Sequence, residues 1–247
     1  MDNAGASYGP FGSKWNTIKR QYDQFQSDAT AVADAQAYLS KTPDHRYALT
    51  DPKGVKKTTP FTDFKGPVYA ENDSAKIIGN RSSFFKDQYP ETPAKAGMSM
   101  IHILAIPKAR IFNGVSLDKD TVGIIDEMVA LFEASWAEES FRLNILQHQL
   151  DAIKTAWNEN QDPLEPQHRV SYQRAISAYK ELKRMIHDLT VEDFTYGLHL
   201  WPDHSVGHLH MHIMATPAKC LQYSTREHDQ KTKDAAEVRD FITSRKT

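Results

Sequence analysis

The chain has 247 residues, 40% of them hydrophobic and 25% charged, with 30 Lys and Arg against 32 Asp and Glu. These proportions allow a sizeable core and exclude a low-complexity or disordered chain. The formal net charge of −2 gives no overall pull toward nucleic acid or anionic membrane, and the single cysteine, Cys220, excludes intrachain disulfides and Cys-rich zinc modules.

The first thirteen residues, MDNAGASYGPFGS, lack both a basic n-region and an apolar h-region, so no secretory signal is read there. From Lys14 to about Ser40, Trp15, Ile18, Tyr22 and Phe25 recur at helical spacing, which predicts one helix or two. Residues 41–66 hold Pro43, Pro52, Gly54, Pro60 and Gly66 among polar residues and predict a loop-rich connection. Strand-like runs follow at Pro67–Glu71, Ala75–Gly79 and Ser82–Lys86, and Met98–Ile106 reads as a buried strand ended by Pro107. Residues 41–110 carry twelve Lys and Arg against seven Asp and Glu, a local excess of +5.

Helical periodicity runs from Asp120 to about Trp157 and again over Gln167–Leu189, with a turn at Asn158–Pro166. Phe194–Leu200 and His208–Ala215 read as two strands joined by the loop Trp201–Gly207, an antiparallel hairpin. A short helix is predicted around Ala235–Ile242. The fold class is α+β, with strands in the middle and near the end and helices between them. No apolar run reaches membrane-spanning length. The expectation is an intracellular protein, cytoplasmic or nuclear, with no membrane partner.

One segment carries chemistry: His208-Leu209-His210-Met211-His212-Ile213-Met214. Side chains of a strand alternate between faces, so three imidazoles project from one side while Leu209, Met211 and Ile213 pack on the other. Such a row suits catalysis or phosphate binding, because neutral imidazole is a nucleophile, a proton carrier and a hydrogen-bonding group at neutral pH. It also suits a metal, but multi-ligand metal sites usually add a carboxylate or a distant His, and this motif has no carboxylate. No metal and no cofactor are expected.

The motif resembles the signature of the histidine triad (HIT) superfamily, His-φ-His-φ-His-φ-φ, at every position. His102-Ile103-Leu104-Ala105-Ile106-Pro107-Lys108 resembles that family's His-x-Leu-Val-Ile-Pro-Lys strand. Lys86-Asp87-Gln88-Tyr89-Pro90 and His199-Leu200-Trp201-Pro202 resemble segments of the aprataxin and scavenger mRNA decapping branch. The likeness covers about residues 67–115 and 194–216. It implies a HIT-like, mostly antiparallel sheet with packed helices over 67–247, a helical pair inserted at about 120–189, and an N-terminal extension over 1–66 that matches nothing in the family.

The resemblance further implies a nucleotidyl hydrolase or transferase acting through a covalent nucleotidyl-histidine. His210 is then the nucleophile, flanked by His208 and His212. Ser205 reaches the phosphate or leaving group, and His102, Asp87, Phe85, His199 and His204 bind the nucleotide. The partner is a nucleotide or nucleotide conjugate. Near-zero net charge disfavours long nucleic acid, and a homodimer is compatible. Two other readings fit the same motif: a nucleotide-binding or sensing protein with little turnover, and a repurposed fold with a non-nucleotide or metal-dependent reaction.

Overall fold

The computed structural model describes residues 9–40, 59–62, 64–159 and 166–245. Two N-terminal helices come first, α1 (Trp15–Ser27) and α2 (Ala29–Leu39). Asp28 separates them by accepting a hydrogen bond from the Ala31 N–H, the ordinary N-cap that satisfies one orphan donor. Most of the connection expected over 41–66, and most of the turn expected at 158–166, lie outside the described residues.

Among the described residues six strands form one sheet: β1 (Val68–Glu71), β2 (Ala75–Gly79), β3 (His102–Pro107), β4 (Phe194–His199), β5 (Met211–Ala215) and β6 (Thr232–Asp234). Their order is β1-β2-β3-β5-β4-β6 and every pairing is antiparallel. Between and after them lie α3 (Ile124–Trp136), α4 (Glu139–Glu159), α5 (Pro166–Met185), α6 (Ala218–Leu221) and α7 (Ala235–Ser244). The protein is α+β, as its periodicities predict. No helix among the described residues is long and apolar enough to cross a membrane.

The pleat gives the sheet two unlike faces. Ile77, Ile103, Ala105, Met211, Ile213 and Leu198 share one, and they join a core with Ile125, Met128 and Phe132 of α3. The opposite face takes Leu104 and His212, which are direct partners, along with His102, Ile78 and Ile106. On that second face Ile78, Leu104 and Ile106 are covered by Phe61 and Phe64. The N-terminal helices are built into the main core: Ile18, Phe25 and Tyr38 are at most 2% exposed, and Trp15 and Tyr22 pack edge-on against Phe241 of α7.

Several elements differ from their sequence patterns. Ser82–Lys86 is an irregular segment that leads into a 3₁₀ turn at Lys86–Gln88. The Ser83 hydroxyl donates to Gln88 Oε1 and accepts from the Phe85 N–H, while the Ser83 N–H donates to the Tyr89 hydroxyl. Side-chain bonds thus take the place of a strand ladder. The run from Met98 becomes a strand only at His102, because the Met100 N–H bonds the Cys220 carbonyl and the Ile101 N–H bonds the Ser99 hydroxyl. The helical stretch from Asp120 to Trp157 is two helices, so the 120–189 region holds three helices, where the sequence pattern predicts two. The Arg142 guanidinium bonds the Trp136 carbonyl at 2.6 Å, and the bend lets Trp136 and Phe141 both pack on Phe132. The strands β6 and the four-residue α6 have no readable pattern.

Candidate active site

The first two triad residues precede the strand. Regular pairing in β5 starts at Met211, and the Leu209 N–H bonds the Ile111 carbonyl instead. The imidazoles nevertheless share one side. Phe61 lies edge-on to both His208 and His210, at 6.1 and 5.5 Å between centroids, and the rings of His210 and His212 are 5.0 Å apart.

Hydrogen-bond partners assign each ring its tautomer, since a carbonyl can only accept. His208 Nε2 donates to the Pro107 carbonyl at 3.0 Å, so Nδ1 accepts from the Tyr38 hydroxyl at 2.6 Å. That hydroxyl in turn contacts Thr62 Oγ1. His210 Nδ1 donates to the His208 carbonyl at 2.8 Å, which leaves a lone pair on Nε2. The orientation required of a nucleophile is therefore fixed by the backbone of the preceding histidine.

A second chain of bonds sets His212. His102 Nδ1 accepts from the Met98 N–H at 3.1 Å and the Asn80 amide at 3.0 Å, so its Nε2–H donates to His212 Nδ1 at 2.8 Å. His212 must then carry its proton on Nε2, a buried atom with no hydrogen-bond partner among the described residues. On its other side His212 stacks on His199 at 4.2 Å, and His199 lies 5.9 Å from His228. His199 Nε2 contacts Thr232 Oγ1 at 3.0 Å, and that hydroxyl donates to the His228 carbonyl. Gly197 makes this approach feasible, since a Cβ there would stand 2.4 Å from Thr232 Cγ2.

Burial holds this cluster neutral. It pushes His102 down to about 3 and His208 to about 4, and it takes His199 and His212 well below the ordinary imidazole value. His210 is lowered for the same reason; the bond to the His208 carbonyl works against that shift and the Lys231 charge works with it. A neutral ring keeps the Nε2 lone pair available at pH 7. Among the described residues no three His, Cys, Asp or Glu side chains are arranged to hold a metal ion. The ring nitrogens are largely taken up by one another, by hydroxyls and by backbone carbonyls.

The sequence-predicted residues divide. His208, His210, His212, His102 and His199 are gathered into one contact cluster. Ser205 is exposed in the loop before it. His204 is buried edge-on against Phe112 at 5.2 Å. Phe85 is 1% exposed, packed on Tyr223 at 5.4 Å with the Arg174 guanidinium over it, and Asp87 pairs with Arg174 at 2.7 Å. Asp87 also borders an open cleft of about 710 Å³ with Lys86, Tyr89, Pro93, Thr225 and Arg226. A second cavity, of about 210 Å³, lies between α1, α2 and residues 110–121. None of the clustered histidines lines either space.

His228, Asn80, Tyr38 and Thr232 belong to the site but escape sequence reasoning. Each is a lone polar or aromatic residue outside any motif, and only the fold brings it to the triad. Comparison with protein-family models, curated proteins and solved structures finds no match to this chain.

Proposed function

We propose that this protein is a nucleotidyl hydrolase or transferase of the histidine triad type, acting at the α-phosphate of a nucleotide conjugate. The observation that carries the proposal is the His210 ring: neutral, with Nδ1–H tied to a carbonyl and Nε2 left with its lone pair. In this reading Nε2 attacks the α-phosphorus and the bond to the leaving group breaks, its electron pair departing with that group. The ring becomes an N-phosphorylated imidazolium whose Nδ1–H is stabilised by the His208 carbonyl. Water then attacks phosphorus, releases the nucleoside monophosphate and restores neutral His210. His212, with its unpartnered Nε2–H, is suited to donate to a phosphoryl oxygen as charge develops there. His102 fixes that donor by accepting on one nitrogen and donating from the other.

The substrates in view are an aminoacyl or lysyl adenylate, a dinucleoside polyphosphate, a cap-like dinucleotide and an adenylated nucleic acid end. The wild type is expected to release AMP or GMP from at least one of them. His210→Ala is expected to lower that release at least about a thousandfold with folding intact. Full turnover by His210→Ala would exclude the covalent route.

A second reading, a nucleotide binder with little turnover, is favoured by one observation. Phe61 stands over His208 and His210, and the rings of His210 and His212 are each only 8% exposed. Saturable nucleotide binding without release from any conjugate would select this reading.

A further inference from the structure

Asn80 lies one residue past the last paired position of β2, where Gly79 faces Ile103. Its carbonyl accepts a hydrogen bond from the Nε2–H of His148, a half-buried residue of α4. A carbonyl can only accept, which places the His148 proton on that nitrogen. Only glycine suits position 79, because a Cβ there would stand 2.4 to 2.5 Å from three atoms of the His148 ring. The Tyr69 ring of β1 lies 5.8 Å from the imidazole on centroids. The ring is thus seated against β1 and β2 and bonded to one backbone oxygen.

The residue held in this way supports the donor of the site. The Asn80 amide donates to His102 Nδ1 at 3.0 Å, and His102 Nε2–H donates to His212 Nδ1 at 2.8 Å. His212 is left with its Nε2–H buried and without an acceptor among the described residues. Contacts therefore lead from α4 through Asn80 and His102 to the N–H that the nucleotidyl reading assigns to a phosphoryl oxygen. A donor keeps its geometry only if the residues behind it are themselves held. The helix α4 lies outside the stretches that carry the family likeness, so no motif foretells this connection.

We infer that His148 is a positioning residue for the His212 donor, acting through Asn80 and His102. Its effect on catalysis rests on the nucleotidyl reading; its effect on the His212 proton does not. The Met98 N–H also donates to His102 Nδ1, at 3.1 Å, so loss of His148 weakens the arrangement without abolishing it.

Kinetics on the best conjugate, with nitrogen NMR spectra of the histidine rings, test it in the full chain. His148→Phe keeps the ring and removes the donor; His148→Gln restores an N–H. His148→Phe lowers kcat about 5- to 30-fold with KM and melting temperature near wild type, and His148→Gln recovers most of the loss. In the spectra, His212 of the wild type carries its proton on Nε2, and His148→Phe shifts that signal. Adding His148→Phe to Asn80→Leu costs little further kcat, because the two act in series. An unchanged kcat or an unchanged His212 signal in His148→Phe overturns the inference. So does an additive loss in the double variant, or a loss of kcat matched by a fall in melting temperature that His148→Gln does not repair. A wild type that releases no nucleotide from any conjugate overturns the nucleotidyl reading alone, and the His212 signal of His148→Phe, shifted or not, then decides the inference by itself.

Discussion

The histidine triad is the most specific motif in the sequence and the Phe85–Tyr89 segment a weaker, supporting one, and the fold treats the two in opposite ways. In the cluster, hydrogen bonds orient polar atoms and leave some of them free: the His210 Nε2 lone pair and the His212 Nε2–H. In the other segment the distinctive groups are consumed by structure. Phe85 is core, Asp87 is ion-paired to Arg174, and Gln88 bonds the Ser83 hydroxyl and the Ile153 carbonyl. Residue type identifies both regions. What separates them is whether neighbours leave the polar atoms unsatisfied.

Substitutions can break this contrast. After His210→Ala, the largest expected effect is that of His212→Phe, which removes the buried donor and its bond with His102. Release of nucleoside monophosphate is expected to fall by about 10² to 10⁴-fold, measured as kcat on the best conjugate. Phe85→Ala sharpens the comparison from the other side. It should cost about 3–5 kcal/mol in denaturant unfolding, as for a large ring removed from a core, with turnover per folded molecule little changed. A Phe85→Ala protein of normal stability and weakened nucleotide binding would return Phe85 to the site.

The pH dependence follows from burial. Histidines whose folded values lie below the free value bind fewer protons than the unfolded chain does. Stability is therefore full above about pH 6.5 and is lost as pH falls toward the folded values. His208, lowered to about 4, is expected to account for about 3 kcal/mol of that loss between pH 6.5 and pH 4. Activity should survive at pH 6.5, where a free imidazole would be half protonated. Unfolding curves with no change across this interval would contradict neutral burial of the cluster. The smallest effect is predicted for Asp87→Asn. Its ion pair is partly exposed, so the change should cost no more than about 1 kcal/mol and leave turnover close to wild type.

Much of this was legible in the sequence because it depends on periodicity. Alternation places Met211 and Ile213 on the core face and His212 opposite, and the short connection over residues 200–210 brings β4 and β5 together as neighbours. His102 was legible only through its likeness to a family strand; its role depends on register, since its partner Met214 places it beside His212. The rest is long-range. His228 lies in a polar turn, and Tyr38 belongs to a helix about 170 positions before the ring it contacts. The run Ser82–Lys86 misled because strand-forming composition says nothing of the hydroxyl and amide bonds that Ser83 makes with Gln88 and Tyr89.

The most direct test is chemical trapping on the wild-type chain during turnover of an adenylated conjugate, with a rapid alkaline quench and peptide mass spectrometry. The account predicts one AMP bonded to the His210 ring, forming and decaying at rates compatible with turnover. Turnover without that adduct, or an adduct carried by another residue, would contradict it.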